Sequence, residues 1–121
     1  MHKPEKDIKG YLRWRNEKGQ LHRKDGPAFI NSDGDCHWYK KGKLHRENGP
    51  AVECTNGHKE WLVNGKHHRI DGPAIECTNG DKEWLVDDKR HRKNGPAVEC
   101  TDGSKQWWVD GKFVRNNYAQ S

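Results

Sequence analysis

Apolar residues are scarce in this chain. Hydrophobic side chains make up 30% of the 121 residues and charged ones 34%, and the mean hydropathy is −1.35. Composition of that kind alone points toward disorder, because so little apolar area cannot offset the conformational entropy lost on folding. No stretch approaches the length of a membrane span. Sustained 3.6-residue periodicity is also missing, so helix is expected to be minor. Net charge is +5, yet acids and bases alternate and no run of five like charges occurs. The balance is a mild bias toward anionic partners, not a nucleic-acid signature. Gly-x-Ser-x-Gly, the P-loop and His-Glu-x-x-His are all absent and the acids are dispersed, which makes catalysis the least favoured class. The opening Met1-His2-Lys3-Pro4-Glu5-Lys6-Asp7 lacks an apolar core of a leader, and the expected compartment is the cytosol.

Cysteine is limited to four residues, and Cys-x-x-Cys is missing, so zinc is a poor reading and no metal or cofactor is called for. Cys54, Cys77 and Cys100 recur at a fixed step, whereas Cys36 lies out of register. If each unit adds two strands, equivalent cysteines stand about 9–10 Å apart, beyond disulfide reach. Buried free thiols are expected.

What the chain has instead is repetition. His68-Arg69-Ile70-Asp71-Gly72-Pro73-Ala74 has three counterparts, beginning at His22, His45 and His91, each 23 residues from the next. Trp38, Trp61, Trp84 and Trp107 keep the same step. A period of this size marks a repeat array, whose units stack their few apolar residues into one strip. The expected organisation is a polar lead-in over 1–10, a single repeat domain over 11–115, and a tail over 116–121. Units run about 11–37, 38–60, 61–83 and 84–106, with a partial unit at 107–115. The first is atypical, since Trp14 stands one residue further from Gly19 than Trp38 does from Gly42.

Turn chemistry assigns the elements. In Lys59-Glu60-Trp61-Leu62-Val63 an aromatic and β-branched run meets Asn64-Gly65, a type I′ hairpin signal. Asp87-Asp88 replaces it one unit later, and Asp tolerates the left-handed region. Asp71-Gly72 makes a second turn, Pro73 opens a strand through Cys77, and Thr78-Asn79-Gly80-Asp81 is another hairpin turn. Alternation places Val52 with Cys54 on one strand face and Ala51 with Glu53 on the other. Phe29, Val52, Ile75 and Val98 together with the tryptophans are the expected core strip, with Glu53, Glu76 and Glu99 opposite. The fold expected is all-β: an elongated, twisted antiparallel sheet of stacked β-hairpins, about four repeats plus a C-terminal cap.

Trp-x-x-x-Gly-Lys-x-His, followed by a Gly-containing turn, an apolar strand and Asn/Asp-Gly at a 23-residue step, resembles the MORN repeat. The resemblance covers about residues 11–115. It implies stacked β-hairpins with a groove and a scaffold that binds proteins or acidic lipids, and it brings no catalytic residue. The family usually carries His-Gly-x-Gly where this chain has His-Arg-x-Asp/Asn-Gly-Pro-Ala, a divergent variant.

Stacking would align His22, His45, His68 and His91 beside Arg23, Arg46, Arg69, Arg92 and Arg115. Such a column can bind an anion such as a nucleotide, since Arg forks suit phosphate. The favoured reading is structural, with Arg paired to Glu53, Glu76 and Glu99 or to turn carbonyls and His fixing the Gly-Pro turn. Specificity is expected where units differ, at Lys40, Lys41 and His58, with Trp108 as a further partner contact. A non-catalytic module engaging a protein partner is the leading expectation, as a small adaptor or inhibitor. Sequestration of an anionic small ligand follows, and nonspecific nucleic-acid binding comes third. Pairing of sheet edges into a homodimer is a further possibility.

Overall fold

The computed structural model describes residues 3–117. Among these residues there is no helix, and the chain folds as an all-β array of antiparallel hairpins. Met1, His2 and residues 118–121 of the expected lead-in and tail lie outside the described residues.

The chain enters through β1 (Glu5–Lys6) and β2 (Leu12–Arg13), then β3 (Phe29–Ile30) and β4 (Cys36–His37). A smaller hairpin follows, β5 (Tyr39–Lys40) with β6 (Lys43–Leu44). The order then repeats as β7 (Val52–Glu53), β8 (Lys59–Glu60), β9 (Leu62–Val63) and β10 (Lys66–His67). It repeats again as β11 (Ile75–Glu76), β12 (Lys82–Glu83), β13 (Leu85–Val86) and β14 (Lys89–Arg90). β15 (Val98–Glu99) precedes two longer strands, β16 (Lys105–Val109) and β17 (Lys112–Asn116). Eleven of these strands form one open sheet in the order β1-β2-β3-β4-β7-β8-β11-β12-β15-β16-β17. β5–β6, β9–β10 and β13–β14 stand beside it as two-stranded hairpins. The sheet already begins inside the polar lead-in, where Glu5 pairs with Arg13.

Each unit therefore makes two hairpins in succession. In the larger, Cys54 N–H donates to His58 O and Gly57 N–H to Cys54 O, with Gly57 at φ 99°. In the smaller, Asn64 and Gly65 take φ 52° and 81°, the two left-handed residues of a type I′ turn. Asp87 and Asp88 adopt φ 51° and 67° and keep that turn without glycine. Its second aspartate has a use, because Asp88 Oδ1 accepts from His67 N–H at 2.7 Å. The first unit differs as its extra residue requires. Gly19 alone is left-handed there, and Asn16 N–H and Gly19 N–H close a longer turn onto Gln20 O and Asn16 O.

The core corrects the expected faces. Ala28, Ala51, Ala74 and Ala97 are wholly buried, so the residue grouped with Glu53 away from the core is in fact its centre. Around them Val52, Leu62 and Leu85 are buried, and Trp38, Leu44 and Cys54 pack on the Ala51–Val52–Leu62 cluster. The tryptophans are only half-buried. The reason is steric. Alanine alone lets the returning Gly-Pro loop close onto the sheet, and the large indoles then lie across the join instead of inside it. Cross-strand pairing does put Phe29, Val52, Ile75 and Val98 on one face, interleaved with His37, Glu60, Glu83 and Gln106. Glu53, Glu76 and Glu99 lie on the opposite face, paired with Lys59, Lys82 and Lys105. All four cysteines are free but half-buried, not buried as expected, and the partial burial they have pushes their thiols above the ordinary range.

Candidate functional site

The His-Arg-x-Asp/Asn-Gly-Pro-Ala segments leave the smaller hairpins and return to the sheet, and each carries its arginine back over an indole. Arg69 Cζ stands 3.8 Å from the Trp61 ring centre. Arg23 over Trp14, Arg46 over Trp38, Arg92 over Trp84 and Arg115 over Trp107 repeat this within 3.7–4.0 Å. The opposite side of the guanidinium is closed by the Gly of Gly-Pro, where an added Cβ would meet Arg69 Cζ at 2.7 Å and Arg46 Cζ at 3.0 Å. In its own plane Arg69 donates to Pro73 O at 3.0 Å and to Glu76 at 3.3 Å. Arg46 and Arg92 hold Pro50 and Glu53, and Pro96 and Glu99, in the same way. Four contacts thus converge on one side chain: an aromatic face, a glycine, a carbonyl and a carboxylate.

The histidines join units. His45 Nδ1 accepts from Asn64 N–H at 3.0 Å. His22 takes Lys41 N–H, His68 takes Asp87 N–H and His91 takes Asp110 N–H, at 3.0–3.2 Å. In every case the donor is the first left-handed residue of the next unit's small turn, with φ 51–52°. A ring nitrogen that accepts an amide proton must carry none of its own, which assigns the tautomer with hydrogen on Nε2. The expectation that His fixes its own Gly-Pro turn is corrected, since it fixes the turn of the following unit. Two backbone bonds flank it: Gly65 N–H to Leu44 O at 2.8 Å, and Arg46 N–H to Leu62 O at 3.1 Å. The partial last unit has Val114 where His would stand, so no acceptor is offered onward.

Residues that vary between units behave differently. Lys40 and Lys41 are exposed. His58 is half-buried and its Nε2 lies 2.7 Å from Glu60, whose other oxygen is 2.6 Å from His67 Nε2. Burial opposes ionisation of Glu60, but these two hydrogen bonds outweigh it and hold the carboxyl below the usual range. Trp108 is packed, not free. Its ring meets Phe113 edge-on at 5.4 Å, Arg90 lies over it at 5.0 Å, and its N–H donates to Gln106. The chain's own repetition could have revealed the Trp–Arg pair, since the two are always eight residues apart except in the lengthened first unit, where they are nine apart.

Between successive loops the face opens into clefts. One of about 1080 Å³ lies at the first loop, lined by Trp14, Lys18, His22, Arg23, Lys24 and Lys41 among others. A second, of about 340 Å³, lies between the first and second loops. A third, of about 680 Å³, lies between the second and third. Among the described residues no group of His, Cys, Asp and Glu is arranged to hold a metal ion, and no helix is long and apolar enough to cross a membrane. The chain matches no protein-family model and no curated protein, so any role is argued from this geometry.

Proposed function

We propose that the array is a non-catalytic binding module whose loop-bearing face engages a protein partner. One observation carries this reading: the residues common to the units are consumed in holding them together, while exposed side chains around the clefts change from unit to unit. The loop position after Arg reads Lys24, Glu47, Ile70 and Lys93. Ile70 is 77% exposed on this face, apolar area of the kind partners bury. A rigid scaffold with variable loop tips is how binding surfaces are commonly built.

Affinity capture from the native host, with the intact chain and two variants as bait, tests the reading. A stoichiometric protein retained by wild type and by Lys82→Gln, an exposed position of β12, but lost with Glu47→Lys/Ile70→Lys, is the expected result. No stoichiometric protein, or equal retention by the loop-face variant, would overturn it.

A further inference from the structure

The units act as internal controls for one another, and by that comparison the first loop is the exception. Arg46, Arg69 and Arg92 each meet a glutamate seven residues on. At that position after Arg23 the chain has Ile30. Arg23 keeps the indole of Trp14 and donates to Pro27 O at 3.2 Å, but among the described residues it has no carboxylate partner. The same fold that satisfies the arginine elsewhere leaves this guanidinium with donors to spare, beside the cleft of about 1080 Å³.

Charge around the clefts changes in the same direction. The first is lined by Lys18, Arg23, Lys24 and Lys41 against Glu17 and Asp25. The second shares Arg23 and Lys24, adding Lys40 and Arg46 against Glu47 alone. At the third, Arg46 and Arg69 face Glu47 and Asp71, and the charges cancel. Lys40-Lys41 gives way to Val63-Asn64, Val86-Asp87 and Val109-Asp110 in later units. Loss of the acid and gain of the lysines thus coincide at one place in an otherwise regular array. A solvated basic surface has no need to discard a half-buried arginine's carboxylate. A site for an anion does, because that carboxylate would compete for the same guanidinium donors.

From this we infer that the first loop, His22-Arg23-Lys24, and the clefts on either side of it bind a small ligand carrying two or more phosphate charges. Arg23 supplies the directional donors, with its plane already fixed by Trp14 and Gly26. Lys24 and Lys40 supply charge from the second cleft, and Lys41 from the first. The site differs from a column running through all units, for Arg46, Arg69 and Arg92 already hold a glutamate. Its directional donor is Arg23, and of the variable loop tips it uses only Lys24, so it stands or falls apart from the protein-partner reading, which is tested at Glu47 and Ile70.

Isothermal titration of the full chain with inorganic pyrophosphate, ATP and adenosine tests it. Pyrophosphate and ATP are expected to bind at one site and adenosine not at all. Two variants use only residues the repeat itself carries elsewhere, so folding is expected to persist and is checked by the thermal midpoint. Ile30→Glu returns the missing carboxylate to Arg23, and Lys40→Val/Lys41→Asn reproduces the third unit. Each is expected to weaken both phosphates by about tenfold or more, while Lys82→Gln leaves them unchanged. Absence of binding by wild type at millimolar ligand, equal binding of adenosine, or indifference to both variants would overturn the assignment. So would binding of a short oligonucleotide with neither pyrophosphate nor ATP, which would transfer the site to nucleic-acid backbone.

Discussion

At the scale of the residue, the arginines of the second, third and fourth loops are heavily committed side chains. Arg69→Ala removes the cover of Trp61 and three charge-assisted hydrogen bonds, to Asp71, Pro73 O and Glu76, and leaves Glu76 without its cation. It is expected to destabilise by about 2–4 kcal/mol in urea melts. Arg23→Ala strands no carboxylate and is expected to cost less, about 1–2 kcal/mol on the same scale. Gly72→Ala approaches Arg69→Ala by another route, for the new Cβ would occupy the guanidinium's place at 2.7 Å from Cζ. Its signature is a changed Trp61 environment in near-UV circular dichroism without loss of the sheet. The histidine makes a finer test. His68→Ala forfeits an acceptor for Asp87 N–H and should cost about 1 kcal/mol, whereas His68→Asn offers an oxygen at nearly the same reach and should recover most of it.

At the scale of the element, each unit is two tight turns joined through a tryptophan, and the turns were the legible part. Asn64-Gly65 announces a type I′ turn because few residue pairs accept two left-handed positions in succession, and the extra residue before Gly19 announces a different one. The clasp from His45 to Asn64 was not legible, since the two are 19 residues apart and meet only once neighbouring units have stacked. The Ala column was misread for a related reason. Strand alternation assigns Ala51 to the face of Glu53, but the chain bends onto the loop at that residue, and alternation describes only straight strands. The Arg-to-Glu pairing was anticipated from the recurrence of both, and the constant step of seven marks Arg23 as the one of these four whose position carries Ile30 instead.

The larger hairpins also carry the pH dependence. His37, on the face of Val52 and Phe29, stacks edge-on with the Phe29 ring at 5.4 Å. Burial lowers its pKa below the ordinary 6.5, with Asp35 and Glu60 only partly offsetting that. The unfolded chain therefore takes up the proton first as pH falls. Stability present above pH ~6.5 is lost as pH descends through the lowered folded value. The thermal midpoint should drop between pH 7 and pH 5, and His37→Gln, which copies Gln106 further along the same face, should flatten that drop.

At the scale of the whole molecule, the interfaces between units are nearly copies of one another. Gly42, Gly65, Asp88 and Gly111 each donate a backbone N–H to the unit before, at 2.8–2.9 Å. Deleting 61–83 joins Glu60 to Trp84, two residues that occupy the same positions as the native Glu60–Trp61 step. The shortened chain should fold to the same sheet by far-UV circular dichroism. With one interface fewer, it should melt on the order of 10 °C lower.

The serial strand order has a mechanical meaning. β1 and β17 lie at opposite edges of the eleven-stranded sheet, with every strand between them bonded to its neighbours in chain order. Tension on the two termini acts across the strands, so it does not shear them all at once but opens them one after another from the ends. Each released unit of 23 residues frees about 80 Å of extended chain. Under an optical trap the molecule should lengthen in evenly spaced steps at low load, a ratcheting spring whose tooth is the repeat.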